Sequence, residues 1–254
     1  MLVAASLADP AGAQMKALTP ADIDAANAVG ASAGEGVRVL FLGNSFTYEH
    51  DIPALVAQRA RAAGVTLRPA LLAEGGGRLA RTLEIVGVRA VVAEHDWDAV
   101  VVQDHSTTGL DPDRAMTSAK AIAAIAALAA PAPLLIVTPW ARAAEHPIYT
   151  RGTGLRASLA RPKDPKAMTV ATASHAATVA AGLKAHHRVA VAPVATAWLA
   201  AMSAGQRLHR GDRYHASPQG AALTAAVIWD ALSPLLAAPT GEPTVTIPAR
   251  APAD

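Results

Sequence analysis

Five short apolar runs, each followed by a helix-like stretch, constrain this chain more than any other feature. They cover residues 37–42, 65–72, 98–103, 134–137 and 189–194. Their valines and leucines run on continuously, as in Val100-Val101-Val102, where a half-exposed strand would alternate apolar with polar. Continuous runs suit strands buried on both faces, and strands alternating with helices build a parallel sheet with helices on either side. The intervening segments carry helix punctuation. Asp51 precedes Ile52-Pro53, an N-cap followed by proline in the first turn, and Gly64 stops that helix. Residues 79–94 read as mostly helical with a break at Gly87. Residues 115–130, 165–187 and 196–204 follow, and the last helix spans 217–232 with Ser217 as cap and Pro218 at its first position. No repeat of 20–50 residues and no linker divides the pattern. One α/β domain over residues 37–234 is the economical reading. Open sheets of this kind bind ligands beyond the carboxyl ends of their strands, so chemistry is sought just after each strand.

Composition removes several function classes. The chain has 254 residues, of which 52% are hydrophobic, and a net charge of +2, which together exclude a chain disordered throughout. It has no cysteine, which excludes a disulfide framework, a thiolate metal site and a cysteine nucleophile. No block of like charge stands out, so no nucleic-acid partner is expected. The longest apolar run, 121–137, is broken by Pro131 and Pro133 and reads as a helix end followed by a strand, not as a stable membrane insertion. Residues 1–36 read as a leader and 235–254 as a proline-rich surface tail. The first eight residues are apolar, and Ala11-Gly12-Ala13-Gln14 resembles a small-residue cleavage site. However, Asp9-Pro10 interrupts the apolar core and the first positive charge is Lys16. Two readings stand side by side: the remnant of an export signal on a periplasmic or secreted protein, or a frayed leader on a cytoplasmic one.

Two blocks carry residue types for nucleophilic catalysis. Gly43-Asn44-Ser45 follows the first strand, which puts a serine at the sheet's carboxyl edge, where it is either a nucleophile or a capping residue. Asp212 and His215 lie three residues apart just before the last helix. A loop there can bend so that the carboxylate accepts from one ring nitrogen and leaves the other for a serine. Taken alone, either block is common.

Their order and placement resemble the SGNH hydrolase (GDSL-like esterase/lipase) superfamily, over about residues 37–232. The resemblance implies a flavodoxin-like three-layer α/β/α sandwich with a five-stranded parallel sheet. It implies Ser45 as nucleophile, His215 as general base and acid, and Asp212 as the orienting carboxylate. Asn44 stands where the family usually has aspartate. The family's oxyanion donors are the serine N–H, a glycine N–H after the second strand and an asparagine after the third. The glycine block is Gly75-Gly76-Gly77, with Gly77 the expected donor and Gly76 its neighbour at the substrate. The Gly-x-Asn-Asp block is missing. In its place stands Gln103-Asp104-His105-Ser106-Thr107, where Gln103, Ser106 or neither could donate, and Asp104-His105 could touch substrate or hydrogen-bond within the loop.

Trp140 and Arg142 follow the fourth strand and could line a substrate pocket or pack within their loop, and Tyr48, Glu49 and His50 could form a rim. No His-Glu-x-x-His helix, dinucleotide glycine pattern or Walker lysine occurs, so neither metal nor cofactor is expected. The resemblance implies an ester hydrolase acting through an acyl-serine, with small acyl groups on carbohydrates as the substrate class. The alternatives are a non-catalytic carbohydrate-binding or scaffold protein on the same fold, and a phosphate- or metal-dependent hydrolase using Asp104 and nearby histidines.

Overall fold

The computed structural model describes residues 16–32 and 34–237. In chain order the elements are α1 (Pro20–Gly30), β1 (Val37–Gly43), α2 (Ser45–Tyr48), α3 (Ile52–Ala62), β2 (Leu67–Ala73), α4 (Leu79–Thr82) and α5 (Val88–Ala93). There follow β3 (Ala99–Val102), α6 (Pro112–Leu128), β4 (Leu134–Val137), α7 (Ile148–Arg151), α8 (Pro165–Leu183), β5 (Val189–Ala192), α9 (Val194–Ser203) and α10 (Pro218–Ala237). All five strands are parallel, in the order β2-β1-β3-β4-β5. This is the three-layer α/β/α arrangement that the apolar runs anticipate.

Successive strand residues point to opposite faces, and both faces are buried. Leu40, Leu42, Val100, Val102, Leu134 and Ile136 meet Leu79, Val91, Ile125 and Val179 from α4, α5, α6 and α8. Val39, Phe41, Val101, Leu135 and Val137 meet Val56, Trp198, Ala225 and Ile228 from α3, α9 and α10. Burying a leucine or isoleucine side chain fully contributes about 1.5–3 kcal/mol relative to leaving it in water. With helices on both faces, a polar residue inside a strand would forfeit that gain wherever it pointed. Helix α10 is long and apolar enough to cross a membrane by length and composition. Its Ala221, Ala225, Ile228 and Leu232 face is part of the core.

The reading of residues 1–36 as a leader is corrected from residue 16 onward. Thr19 and Asp22 form a reciprocal capping box at the start of α1, and Ala26 and Gly30 are buried. Helix α1 belongs to the same apolar layer as α5 and β2. A side chain at Gly30 would overlap the ring of His95, whose Nε2 lies 2.9 Å from Asn27 Oδ1. Arg38 donates to the Gly30 carbonyl at 2.9 Å. The domain therefore starts before β1. At the other end, α10 runs through Pro234 to Ala237, so 235–237 are helix and not tail. Residues 1–15, with the cleavage-like stretch, and 238–254 lie outside the described residues.

Strand order reverses between β1 and β3, both central, which opens a crevice at their carboxyl ends. Helix α10 packs tightly beside it. A Cβ at Gly220 would overlap the Leu208 carbonyl and stand 2.6 Å from Trp198 Cη2. Overpacking of this kind costs about 1–3 kcal/mol. Gly220→Ala is expected to lower the urea midpoint accordingly, with an unchanged denaturant slope.

Candidate active site

The site begins where β1 stops. At Gly43 a Cβ would overlap the Thr47 hydroxyl and lie 2.8 Å from Thr47 Cβ, so only glycine lets the chain turn back over the strand end. Asn44 is extended and caps α2, its Oδ1 accepting from Phe46 N–H at 3.1 Å. Its Nδ2 donates to the Gly77 carbonyl, also at 3.1 Å. Ser45 is the first residue of α2 and is 6% exposed.

The loop between α9 and α10 brings the other partners. Its base is a two-residue antiparallel bridge, His209 to Ala216. Ser217 N–H donates to Leu208 at 2.8 Å and Arg210 N–H to the His215 carbonyl at 3.0 Å. Trp140 anchors the loop by donating from Nε1 to the Tyr214 carbonyl at 3.0 Å. The indole is sandwiched between Phe46 (centroids 4.0 Å apart) and Trp198 (4.3 Å), both nearly coplanar with it.

These anchors place His215 Nε2 3.0 Å from Ser45 Oγ and His215 Nδ1 2.7 Å from Asp212 Oδ2. Asp212 can only accept, so Nδ1 carries the ring hydrogen and Nε2 is left to accept from Ser45. Asp212 Oδ1 takes the backbone N–H groups of Tyr214 and His215, each at 2.9 Å, and Arg210 Nε donates to Oδ2 at 2.7 Å. Burial would raise the Asp212 carboxyl, but hydrogen bonds from His215, Arg210 and the two backbone groups hold it well below the usual carboxylate range. Arg210 Nη2 also lies 3.0 Å from Nδ1, but with the ring hydrogen directed at Asp212 this is a contact between donors. The three residues that the sequence suggests as a relay thus stand together at the crevice.

The auxiliary residues are arranged differently from expectation. Gly77 N–H closes a turn onto the Glu74 carbonyl at 3.0 Å, so it is not an unengaged oxyanion donor. Gly76 is exposed at the tip of that turn with φ 63°. Gln103 Oε1 accepts from Thr47 Oγ1 at 2.8 Å, and its Nε2 donates to the Asp104 carbonyl. Its amide therefore braces α2 and points no donor at the serine. Ser106 Oγ accepts from Arg142 Nη1 at 2.9 Å and is buried, so it does not line a pocket. Trp140 is only 2% exposed, within the aromatic stack, and Asn44, 3% exposed, bonds the Phe46 N–H and the Gly77 carbonyl through its amide. Neither is a substrate contact in this arrangement. Asp104 Oδ1 holds the N–H groups of Leu79 and His105 at 3.1 and 2.7 Å, so it too ties loops together.

Two residues gain weight. Arg210 bonds Asp212 and faces Glu49, and its place two residues before Asp212 is the sequence signal for it. Glu49, expected only at the rim, has Oε1 3.4 Å from His215 Nε2 and Oε2 3.0 Å from Arg210 Nη1. Among the described residues no cluster of three histidine or carboxylate side chains is arranged to hold a metal ion.

No family model matches the chain, and no curated protein matches it. Solved structures do. A protein from Slackia heliotrinireducens classed provisionally as an SGNH hydrolase is 26% identical, with 78% of this chain and 100% of that one covered and a TM-score of 0.60. A DUF4886 family protein from Bacteroides uniformis is 18% identical over 77% and 82% of the two chains, with a TM-score of 0.63. A family 3 carbohydrate esterase from Clostridium thermocellum is 11% identical over 80% and 98%, with a TM-score of 0.57. The likeness supports the SGNH superfamily for this chain, and a hydrolase in general terms.

Asn44 explains its own departure from the family's aspartate. An aspartate could cap α2 but could not donate to the Gly77 carbonyl. Leaving a buried acceptor unpaired costs about 1–3 kcal/mol. Asn44→Asp is expected to lose stability on that scale, read as a lower thermal or urea midpoint.

His105 supplies a pH test of the same loops. Burial, then the charges of Arg78, Arg142 and Arg114, push its imidazole down to about 3 from an ordinary 6.5. Between pH 6.5 and about 3 the unfolded chain takes up a proton that the folded chain refuses. Folding stability must therefore fall as pH drops through that window. Urea unfolding of His105→Gln is expected to show a shallower loss of stability than wild type between about pH 6.5 and 4.

Proposed function

We propose that the chain is a serine-dependent ester hydrolase that works through an acyl-serine intermediate. The observation that carries this reading is the continuous relay Ser45–His215–Asp212 at the strand-order reversal, with spacings of 3.0 and 2.7 Å. In the proposed reaction Ser45 Oγ attacks the ester carbonyl while its proton passes to His215 Nε2. Asp212 accepts from Nδ1–H throughout and balances the imidazolium. The carbonyl π pair moves onto oxygen. When it returns, the C–O bond to the alcohol breaks and the alcohol leaves with the Nε2 proton. Water then repeats the sequence on the acyl-serine, giving the acid and restoring Ser45.

The Ser45 N–H is the donor best placed for the developing oxyanion. It heads α2, and Asn44 Oδ1 takes the next N–H and leaves that of Ser45. A second donor from Gly77 requires its bond to Glu74 to open when substrate arrives. Small acyl groups are the acyl side of the proposed substrate. The fold likeness to carbohydrate esterases favours acylated sugars as the alcohol side. The engaged Gly77 and Gln103 donors are the observation that favours a non-catalytic binding protein instead.

One assay separates these readings. Wild type is expected to hydrolyse p-nitrophenyl acetate faster than longer acyl esters, with Ser45→Ala reduced by at least about a thousandfold. An organophosphonate is expected to add one adduct mass to wild type and none to Ser45→Ala. Equal rates in the two proteins would remove Ser45 as nucleophile, and no adduct on wild type would favour the binding protein.

A further inference from the structure

The carboxylate of Glu49 sits where the relay makes no use of it. His215 Nε2 has two oxygens in front of it: Ser45 Oγ at 3.0 Å and Glu49 Oε1 at 3.4 Å. The far oxygen of Glu49 lies 3.0 Å from Arg210 Nη1, and Arg210 Nε is bonded to Asp212 at 2.7 Å. Asp212, His215, Glu49 and Arg210 therefore form a closed ring in which the imidazole has a carboxylate on each nitrogen. Two carboxylates and one guanidinium leave that ring with one net negative charge while the imidazole is neutral. The charge is balanced only once the imidazole has taken a proton.

The backbone indicates that this placement is built. The two residues after Glu49, His50 and Asp51, are both left-handed at φ 58° and 50°, although neither is glycine. Such conformations persist only where their surroundings enforce them, and they gather at functional sites. His50 Nε2 lies 2.9 Å from the carbonyl of Ala216, the residue next to His215. The strained turn is thus pinned to the loop whose histidine Glu49 faces. The Glu49 side chain is 19% exposed, so water screens its approach to the ring only in part.

We propose that Glu49 is a positioning residue that holds His215 in its protonated form, as a second carboxylate on Nε2 opposite Asp212 on Nδ1. The proposal rests on the hydrolase reading for its effect on rate. After Ser45 gives up its proton, Nε2–H points into the space between Ser45 and Glu49, and the Glu49 charge steadies it until the leaving alcohol takes it. Other groups also face the ring. Asp212, Arg210 and Tyr214 lie on its own loop, and Tyr48 and His50 flank Glu49. Arg142 stacks on the Tyr214 ring at 3.7 Å. Of these, Arg210 and Tyr48 themselves feel the Glu49 charge, so a difference between variants reports Glu49 together with its hold on Arg210.

The test compares wild type, Glu49→Gln and Glu49→Asp across pH. For Glu49→Gln the acid-side midpoint of kcat/KM on p-nitrophenyl acetate is expected to move to lower pH by about one unit. Its plateau kcat is expected to fall by up to about tenfold, with KM within about twofold of wild type. Glu49→Asp is expected to recover part of both effects, which a purely steric role would not give. A second readout needs no substrate: the His215 ring resonances followed by NMR through the same pH range are expected to titrate lower in Glu49→Gln. Should wild type hydrolyse no ester, the hydrolase reading fails while the NMR comparison still decides the role of Glu49. Coincident NMR titrations for wild type and a folded Glu49→Gln overturn the proposal. Should Glu49→Gln fail to fold, a folded Glu49→Ala whose titration coincides with wild type does so instead.

Discussion

The Thr47 side chain, folded back over Gly43, is the contact on which the rest of the site depends. No Cβ is tolerated at Gly43, because Thr47 occupies that space, and Thr47 Oγ1 reaches Gln103 Oε1 at the end of the neighbouring strand. The Asn44 amide then reaches sideways to the Gly77 carbonyl after β2. Three adjacent strand ends are thereby tied together through buried side chains. A buried polar group is costly unless it is bonded, so a network satisfied on every side favours one geometry strongly over its neighbours. Ser45 inherits its position from that network.

The opposing half of the relay is fixed by different physics. Phe46, Trp140 and Trp198 stack in parallel, and Tyr214 leans on Phe46 with centroids 5.0 Å apart. Aromatic pairs of this kind contribute about 0.5–1.5 kcal/mol beyond the area they bury. Their larger effect here is geometric. Phe46 is adjacent to Ser45, and Trp140 holds the carbonyl of the residue before His215. One stack therefore sets the distance between Ser45 and His215, though the two lie 170 positions apart in sequence.

Much of this was legible in the sequence, and what was not has physical reasons. Residues 134–137 match β4 end to end, because a strand buried on both faces has nothing to disguise it. Asp51, Pro53 and Gly64 mark α3 because caps and stops act locally. Helix α1 escaped notice although Thr19-Pro20-Ala21-Asp22 spells its capping box. Its apolar face is small and alanine-rich, so its periodicity is weak. The SGNH resemblance, carried by their places beside strand and helix ends, implies the grouping of Ser45, Asp212 and His215, and the three stand together. The direction in which an amide points does not follow from such placement. The resemblance offers Gln103 and Gly77 as oxyanion donors, but Gly77 N–H bonds within its own turn and the Gln103 amide bonds Thr47 and Asp104. Trp140 looked like a pocket wall because sequence shows that it follows a strand, but not that two aromatic residues close over its faces.

The same distinction bears on the missing Gly-x-Asn-Asp block. In this chain the residue after β3 braces α2 from the side, and the glycine after β2 closes its own turn. Groups that would serve an oxyanion are thus committed to holding strand ends together. Arg210 joins Asp212 to Glu49, so the charged groups of this site gather around the His215 ring. In acyl transfer the two charges form in the same step, and stabilising either lowers the same barrier. A site with few free donors on one side can therefore offset part of that deficit by steadying the proton on the other.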